Sequence, residues 1–325
     1  MKIVLIAILT VVALASCSNE ETILVAKPDA INFGTPFIEN STRAADDDFT
    51  SVSAFKVWGN VKGTTTNNTV FLYDGAQVEL ENGAYVCKDK TEYWVPNAEY
   101  KFLAIAGASS VYPESGAFPT TVGYTADGST DLLISESVSV KTYDDAQPST
   151  GIDTNGNVNP VTFTFSHLLS KVVFSAKGAE SDGYTYEVTD IIIKNAKTEG
   201  SVAVGTKTWS SVSDDDTEIA GFGSIEGSFN GQYVDCEHAR LLIPYIYSEG
   251  SEIEISMVVK AYSGGELIQT TEYTGGEGKE PCLKAIVTLE PGYSYNFKFE
   301  HSVGKPIEFG VEKLDGFGNS SVTVQ

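Results

Sequence analysis

From Phe49 onward, apolar residues come in short runs that alternate with polar ones: residues 54–58, 70–73, 84–87, 93–95, 100–106 and 131–140. Each run is bounded by Gly, Pro, Asn or Asp, the pattern of half-buried strands in a sandwich or barrel and not of βαβ units. Residues 141–160 carry Asp144, Asp145, Pro148, Asn155 and Gly156 and almost no large apolar side chain, so a domain boundary is expected there. A second strand-rich half follows, at residues 161–165, 171–176, 184–194, 201–204, 241–247, 253–262, 267–273, 286–289, 293–299 and 307–311. Residues 166–170 have the composition for one helical turn, and no other segment has helical periodicity. No fixed period of about 20 to 50 residues marks a solenoid or propeller. The expectation is an all-β chain.

The start of the chain has a different character. Lys2 is followed by an apolar run over residues 3–15, broken by Thr10 and closed by Leu14-Ala15-Ser16-Cys17. This is too short for a membrane-spanning helix, which needs about 20 residues, and has the shape of a cleaved secretory signal. The Leu-Ala-Ser-Cys ending resembles a bacterial lipobox, in which Cys17 receives the lipid and becomes the new N-terminus. Ser18-Asn19-Glu20-Glu21 resembles the acidic export tag of surface lipoproteins in Bacteroides-type bacteria. Two short apolar segments follow, at residues 23–25 and 30–34. Next comes a polar linker, residues 39–48, carrying one basic residue, Arg43, and forming an accessible proteolytic site.

Charge narrows the function classes. Lys and Arg total 21 against 44 Asp and Glu, a formal charge of -23 at pH 7, which excludes the basic footprint of a nucleic-acid binder. With 42% hydrophobic residues, 16 Tyr, 16 Phe and 3 Trp, the chain is nonetheless able to fold. If Cys17 is acylated, Cys87, Cys236 and Cys282 remain, with no CxxC pair, so a disulfide scaffold is excluded; the alternatives are one pair among the three in an oxidising compartment and, more simply, buried free thiols.

Catalytic chemistry has little support. His167, His238 and His301 fall in no zinc-binding pattern, and Cys236-Glu237-His238 is an unspecific triplet. Gly221-Phe222-Gly223 and Gly278-Lys279 lack the remaining positions of a phosphate loop. The segment from Asp153 begins like a calcium loop but has Val158 at its sixth position and Thr164 at its twelfth. The acidic runs 46–48 and 214–216 read as solvated loops. No GxSxG elbow supports a hydrolase. The expectation is no enzyme, no cofactor and no metal.

A resemblance runs along most of the chain. The lipobox, short leader, Thr42-Arg43-Ala44, acidic linker and Phe55-Lys56-Val57-Trp58-Gly59 together resemble the opening of the Bacteroidales fimbrillins, the type V pilins. Downstream, Tyr93-Trp94-Val95-Pro96 with Tyr100-Lys101-Phe102-Leu103-Ala104, and Phe165-Ser166-His167-Leu168-Leu169-Ser170-Lys171-Val172, are similar to segments of that family. So are Leu242-Ile243-Pro244, Pro291-Gly292-Tyr293-Ser294-Tyr295 and Ile307-Glu308-Phe309-Gly310-Val311. Gly316-Phe317-Gly318 departs from it, standing where many members have Gly-Trp.

The resemblance implies two transthyretin-like Greek-key β-sandwich domains, at residues 44–159 and 160–325, after a signal peptide at 1–17 and a propeptide with a removable first strand at 18–43. It implies a palmitate-bearing outer-membrane lipoprotein precursor anchored at Cys17. An Arg-specific extracellular protease then cuts between Arg43 and Ala44, and a neighbour's strand fills the groove left by the first one. Partners would be further copies, other pilin subunits and a host or bacterial surface ligand, in a cell-surface fimbrium that mediates adhesion. The alternating Ile307, Phe309 and Val311 are donor-strand candidates, with an ordinary final strand as the alternative. Rival readings are a fimbrial tip or anchor subunit, or a monomeric glycan-binding lipoprotein using exposed platforms among Trp58, Trp94 and Trp209.

Overall fold

The computed structural model describes residues 30–39, 52–64, 68–111, 116–142, 160–180, 183–229, 231–317 and 320–321, and among them every regular element is a β-strand. Asn82-Gly83, both with positive φ (50° and 83°), makes the two-residue turn that such a dipeptide favours between strands Thr69–Glu81 and Ala84–Cys87. These strands form one end of an eight-stranded sheet. Its order continues through Ala54–Gly63, Ala98–Ala106, Leu133–Ser135 and Thr164–His167 to Phe37–Ile38, with Val138–Lys141 also on Ala98–Ala106. Phe55, Tyr73, Tyr100, Phe102 and Phe165 of this sheet form an aromatic core together with Phe33, Trp94 and Phe163 from the segments beside it.

The second half is a sandwich of two sheets. In one, Ser170–Gly178 pairs in parallel with Ser294–His301, which pairs antiparallel with Glu308–Asp315. In the other, Ile253–Ser263 lies between Thr185–Ala196 and Glu266–Tyr273. Between them lies a core with Phe174, Tyr186, Ile193, Phe222, Ile255, Met257, Tyr295, Phe297 and Phe299.

A third buried cluster joins the halves. Strand Ala98–Ala106 is buried on both faces: Tyr100, Phe102 and Ala104 meet the first core, while Leu103 and Ile105 meet Trp58, Ile134, Leu168, Leu169, Leu241, Ile243 and Phe317. This explains its nearly unbroken apolar end, since a strand covered on both sides needs no alternation. A four-stranded sheet crosses the same region, with Thr121–Thr125 of the first half on Glu199–Ala203 of the second.

Several local expectations change: run 93–95 is no strand and holds only the bridge of Tyr93 to Ala30, and run 131–140 is two strands, Leu133–Ser135 and Val138–Lys141. Residues 166–170 form no helical turn: Thr164–His167 and Ser170–Gly178 are strands, and Leu168 and Leu169 between them are buried at 1% and 0% exposure. Strand Thr164–His167, expected to open the second half at residue 160, pairs instead with Leu133–Ser135 in the first sheet, and its Phe165 lies in the first core. The apolar run 241–247 is two strands, Arg240–Leu242 and Ile246–Tyr247, separated at Pro244, whose ring removes a ladder donor.

Candidate functional site

The site lies where the first described segment, residues 30–39, fills a gap between two sheet edges. Phe33 bridges Tyr85 of the edge strand Ala84–Cys87 on one side and Val161 on the other, and Ala30 bridges Tyr93. Further along, Phe37–Ile38 runs parallel to Thr164–Phe165. Backbone amides are paired on both flanks. Ile31 N–H donates to Glu92 O (2.8 Å), Gly34 N–H to Val161 O (2.9 Å), Phe37 N–H to Phe163 O (2.8 Å) and Glu39 N–H to Phe165 O (2.7 Å), while Val161 N–H donates to Asn32 O (2.8 Å). The segment therefore satisfies two edges that would otherwise be open.

Its side chains finish the core. Ile31 and Phe33 are 4% and 5% exposed. The Phe33 ring meets Phe55 (6.2 Å), Tyr73 (5.6 Å) and Phe102 (6.4 Å) edge-on and stacks on Phe163 (6.0 Å). Burial of a side chain of this size is worth about 1.5–3 kcal/mol, and each aromatic pair adds about 0.5–1.5 kcal/mol. Gly34 is needed for close approach: a Cβ there would sit 2.6 Å from Thr162 Oγ1 and 3.1 Å from Pro160 Cγ. The same burial raises the Tyr73 hydroxyl far above its ordinary pKa. At the exit, Ser166 donates its hydroxyl to Glu39 Oε2 (2.7 Å) and accepts from Lys207 Nζ (2.9 Å), which also pairs with Glu136. Lys207 comes from the second half, so both halves hold the end of the segment.

Cys17, Arg43 and Ala44 lie outside the described residues. The donor-strand candidates Ile307, Phe309 and Val311 are half-buried against the core of their own sandwich. Strand Glu308–Asp315 pairs residue for residue with Ser294–His301, placing Phe309 opposite Phe299 and Val311 opposite Phe297. On its outer edge, pairing begins only at Leu314, opposite Ser321.

The stretch just after strand Glu308–Asp315 is anchored at the junction. Phe317 is 1% exposed and its ring stacks on His167 at 3.9 Å, while Lys171 Nζ donates to Phe317 O (3.0 Å). His167 Nδ1 pairs with the Asp131 carboxylate; burial pushes that carboxyl up, and the hydrogen bond to His167 opposes the shift. The spacing between Asp131, His167 and Phe317 hides this cluster from any sequence motif.

Other candidates resolve simply. Trp58 and Trp94 are each 2% exposed, and half-buried Trp209 donates its indole N–H to Leu168 O (2.8 Å), so no pair of exposed Trp rings forms a sugar platform. Cys87, Cys236 and Cys282 are half-buried free thiols, and burial raises the latter two. In the acidic run 214–216, Lys197 Nζ donates to Asp214 O (2.8 Å) and Asp216 Oδ1 (2.7 Å). Among the described residues no cluster of His, Cys, Asp and Glu is placed to hold a metal.

Comparisons with known proteins agree with this architecture. No curated protein matches the chain. Among solved structures, a fimbrial protein from Bacteroides vulgatus superposes with a TM-score of 0.59 at 11% identity, covering 89% of this chain and 99% of that one. A candidate cell adhesion protein from Bacteroides ovatus is 18% identical with a TM-score of 0.47, covering 89% and 98%. A fimbrial assembly protein from Parabacteroides distasonis is 11% identical with a TM-score of 0.39, covering 89% and 97%. The first of these carries the likeness of fold. The model of the fimbrillin-like family matches residues 42–313, most of the chain, and the chain belongs to that family.

Proposed function

We propose that this protein is a structural subunit of a cell-surface fimbria that polymerises by strand exchange and mediates adhesion. It is made as a lipoprotein anchored to the outer membrane through Cys17 and is cut between Arg43 and Ala44 by an Arg-specific extracellular protease. The observation that carries the reading is the place of residues 30–39. They bridge two sheet edges and fill an aromatic core, yet they precede Arg43 in the chain. Cutting after Arg43 leaves this segment held by non-covalent contacts alone. Its departure exposes Phe55, Phe163 and Phe165 together with unpaired backbone groups, and a strand from another copy repairs both faults.

The reading is tested on one pair of proteins. In the wild type, treatment with a trypsin-like protease should yield a chain beginning at Ala44 and then SDS-resistant ladders. Arg43→Ala should give a folded precursor that forms none. Ladders from the uncut variant, or first cleavage at another site, would overturn the assignment. Mass spectrometry of the membrane-extracted precursor should find lipid on Cys17, lost in Cys17→Ser.

A further inference from the structure

All but two of the 21 basic residues in the sequence are lysine; the exceptions are Arg43 and Arg240. A protease that accepts only Arg therefore has two bonds to choose from, Arg43–Ala44 and Arg240–Leu241. The first lies in the polar linker. The second has exposed Glu237 and His238 on its approach side, but Leu241, Leu242 and Ile243 beyond it are 0%, 1% and 0% exposed.

The side chain of Arg240 is fully engaged. Its Nε donates to Ala220 O (2.9 Å), Nη1 to Ala239 O (3.2 Å) and Nη2 to Gly221 O. Three carbonyls around one planar fork explain why arginine stands here and not lysine, whose ammonium is a point charge without that fork. Two glycines with positive φ form the cradle. A Cβ on Gly221 (φ +87°) would collide with the guanidinium, and one on Gly128 (φ +77°) would sit 3.1 Å from Arg240 Cδ. The backbone is held as well: Leu241 N–H, the amide of the bond in question, donates to Gly128 O (2.9 Å), and Arg240, Leu241 and Leu242 pair with Val172, Lys171 and Ser170.

A protease must seat the Arg side chain in its own pocket and hold the residues on both sides of the bond extended, and the folded chain withholds both. What withholds them is chiefly the junction. Leu241 and Ile243 belong to the cluster that joins the two halves, and Gly128 comes from the first half. Strand Arg240–Leu242 is three residues long and pairs with one neighbour, so loosening the junction frees it before either sandwich core opens. We infer that Arg240–Leu241 is a second site for the maturation protease, closed when the two halves are docked and open when they are not. The inference rests on the cleavage reading above and adds a regulation to it. Hydrolysis consumes one water, breaks the Arg240–Leu241 amide and leaves a carboxylate on Arg240 and an amine on Leu241. Strands Ser170–Gly178 and Thr185–Ala196 then lie on one fragment, and their partners Ser294–His301 and Ile253–Ser263 on the other. The same protease thus releases a docked subunit for assembly and removes a misdocked one.

The test uses the full-length precursor and an endoprotease that cuts after Arg alone, with new N-termini read by mass spectrometry. Wild type should give the chain beginning at Ala44 and none beginning at Leu241. Leu103→Ala empties a position in the junction cluster and should yield the Leu241 product at least about tenfold faster than wild type, because proteolysis tracks the population of the open form. Ile105→Ala, in the same cluster, gives this reading if Leu103→Ala does not fold. Met257→Ala, in the second core, is the control, compared at urea concentrations that bring the variants to equal global stability, and should accelerate the cut far less. Prompt cleavage of wild type after Arg240, or no acceleration in the junction variants, would overturn the gate. Equal acceleration by Met257→Ala would overturn it too, by making the bond a reporter of global unfolding. Absence of the Ala44 product would count against the cleavage reading, while the Leu241 product still decides the gate.

Discussion

The first sheet and the second sandwich are each closed by a stretch that reads Ile-x-Phe-Gly, Ile31 to Gly34 and Ile307 to Gly310, in different circumstances. In the first, the closing segment is contacted on both flanks, its Phe33 is 5% exposed and touches four aromatic rings, and a polar linker with one Arg separates it from the rest. In the second, the closing strand pairs fully on one flank, its Phe309 is half-buried with a stacked contact to Phe297 (6.1 Å), and it follows its partner strand directly in sequence. The better-buried strand is thus the one that precedes Arg43 in the chain. Removing the first therefore creates a high-energy site, while detaching the second costs less. That difference in free energy would give direction to the strand exchange proposed above.

The sharpest way to break the comparison is to truncate the two matched rings. Phe33→Ala should destabilise the precursor by about 3–5 kcal/mol, the usual cost of emptying a well-packed aromatic site. Phe309→Ala should cost roughly half as much or less, because much of that ring remains in contact with solvent. Urea melts of the two variants decide it, and equal midpoints would remove the asymmetry. Gly34→Ala is a smaller intrusion, forcing Thr162 or Pro160 to move, and overpacking of this kind costs about 1–3 kcal/mol. Its destabilisation should vanish once the first segment has been cut out, which melting curves taken before and after cleavage would reveal.

The strands themselves were largely legible. Alternation in residues 54–58, 70–73 and 100–104, with Asn82-Gly83 as punctuation, reports how each strand faces its own core. Strand Thr121–Thr125 carries little signal in the sequence because Thr-Val-Gly-Tyr-Thr is short and holds a glycine, and its partner Glu199–Ala203 comes from the other half of the chain. Leu168 and Leu169 read as a helical turn because adjacent leucines carry no strand alternation; burial at the junction accounts for both. Strand Thr164–His167 joins the first sheet for a related reason. Phe163 and Phe165 have the pattern of a strand, but only tertiary pairing decides which sheet receives it. The Ile-x-Phe-Gly of residues 31–34 stands in the sequence, yet the need for its glycine shows only where Thr162 and Pro160 crowd it.

The smallest expected effect separates the sandwiches from the junction between them. Asp127 turns the chain after Thr121–Thr125: its carboxylate accepts from the backbone amides of Ser129 (2.7 Å) and Thr130 (2.6 Å) and from the Thr130 hydroxyl (2.7 Å). The turn borders the second half, since Gly128 O accepts from Leu241 N–H (2.9 Å). Partial burial acts to raise this carboxyl, but the combined hydrogen bonds from Thr130 and Ser129 outweigh it and lower the pKa from 3.8 to about 2. A depressed folded pKa means that the contribution is present above the unfolded value and is lost as pH falls from about 4 towards 2. Asp127 is exposed, so solvent screening limits the contribution to about 1 kcal/mol or less. Asp127→Ala should therefore lower the urea midpoint slightly at pH 7, and the gap to wild type should narrow as pH is taken down to about 2. Comparing variant with wild type at each pH cancels the titration of the many other carboxylates. A gap that stays constant with pH would mean that the turn is held by its backbone geometry and not by the ionised side chain.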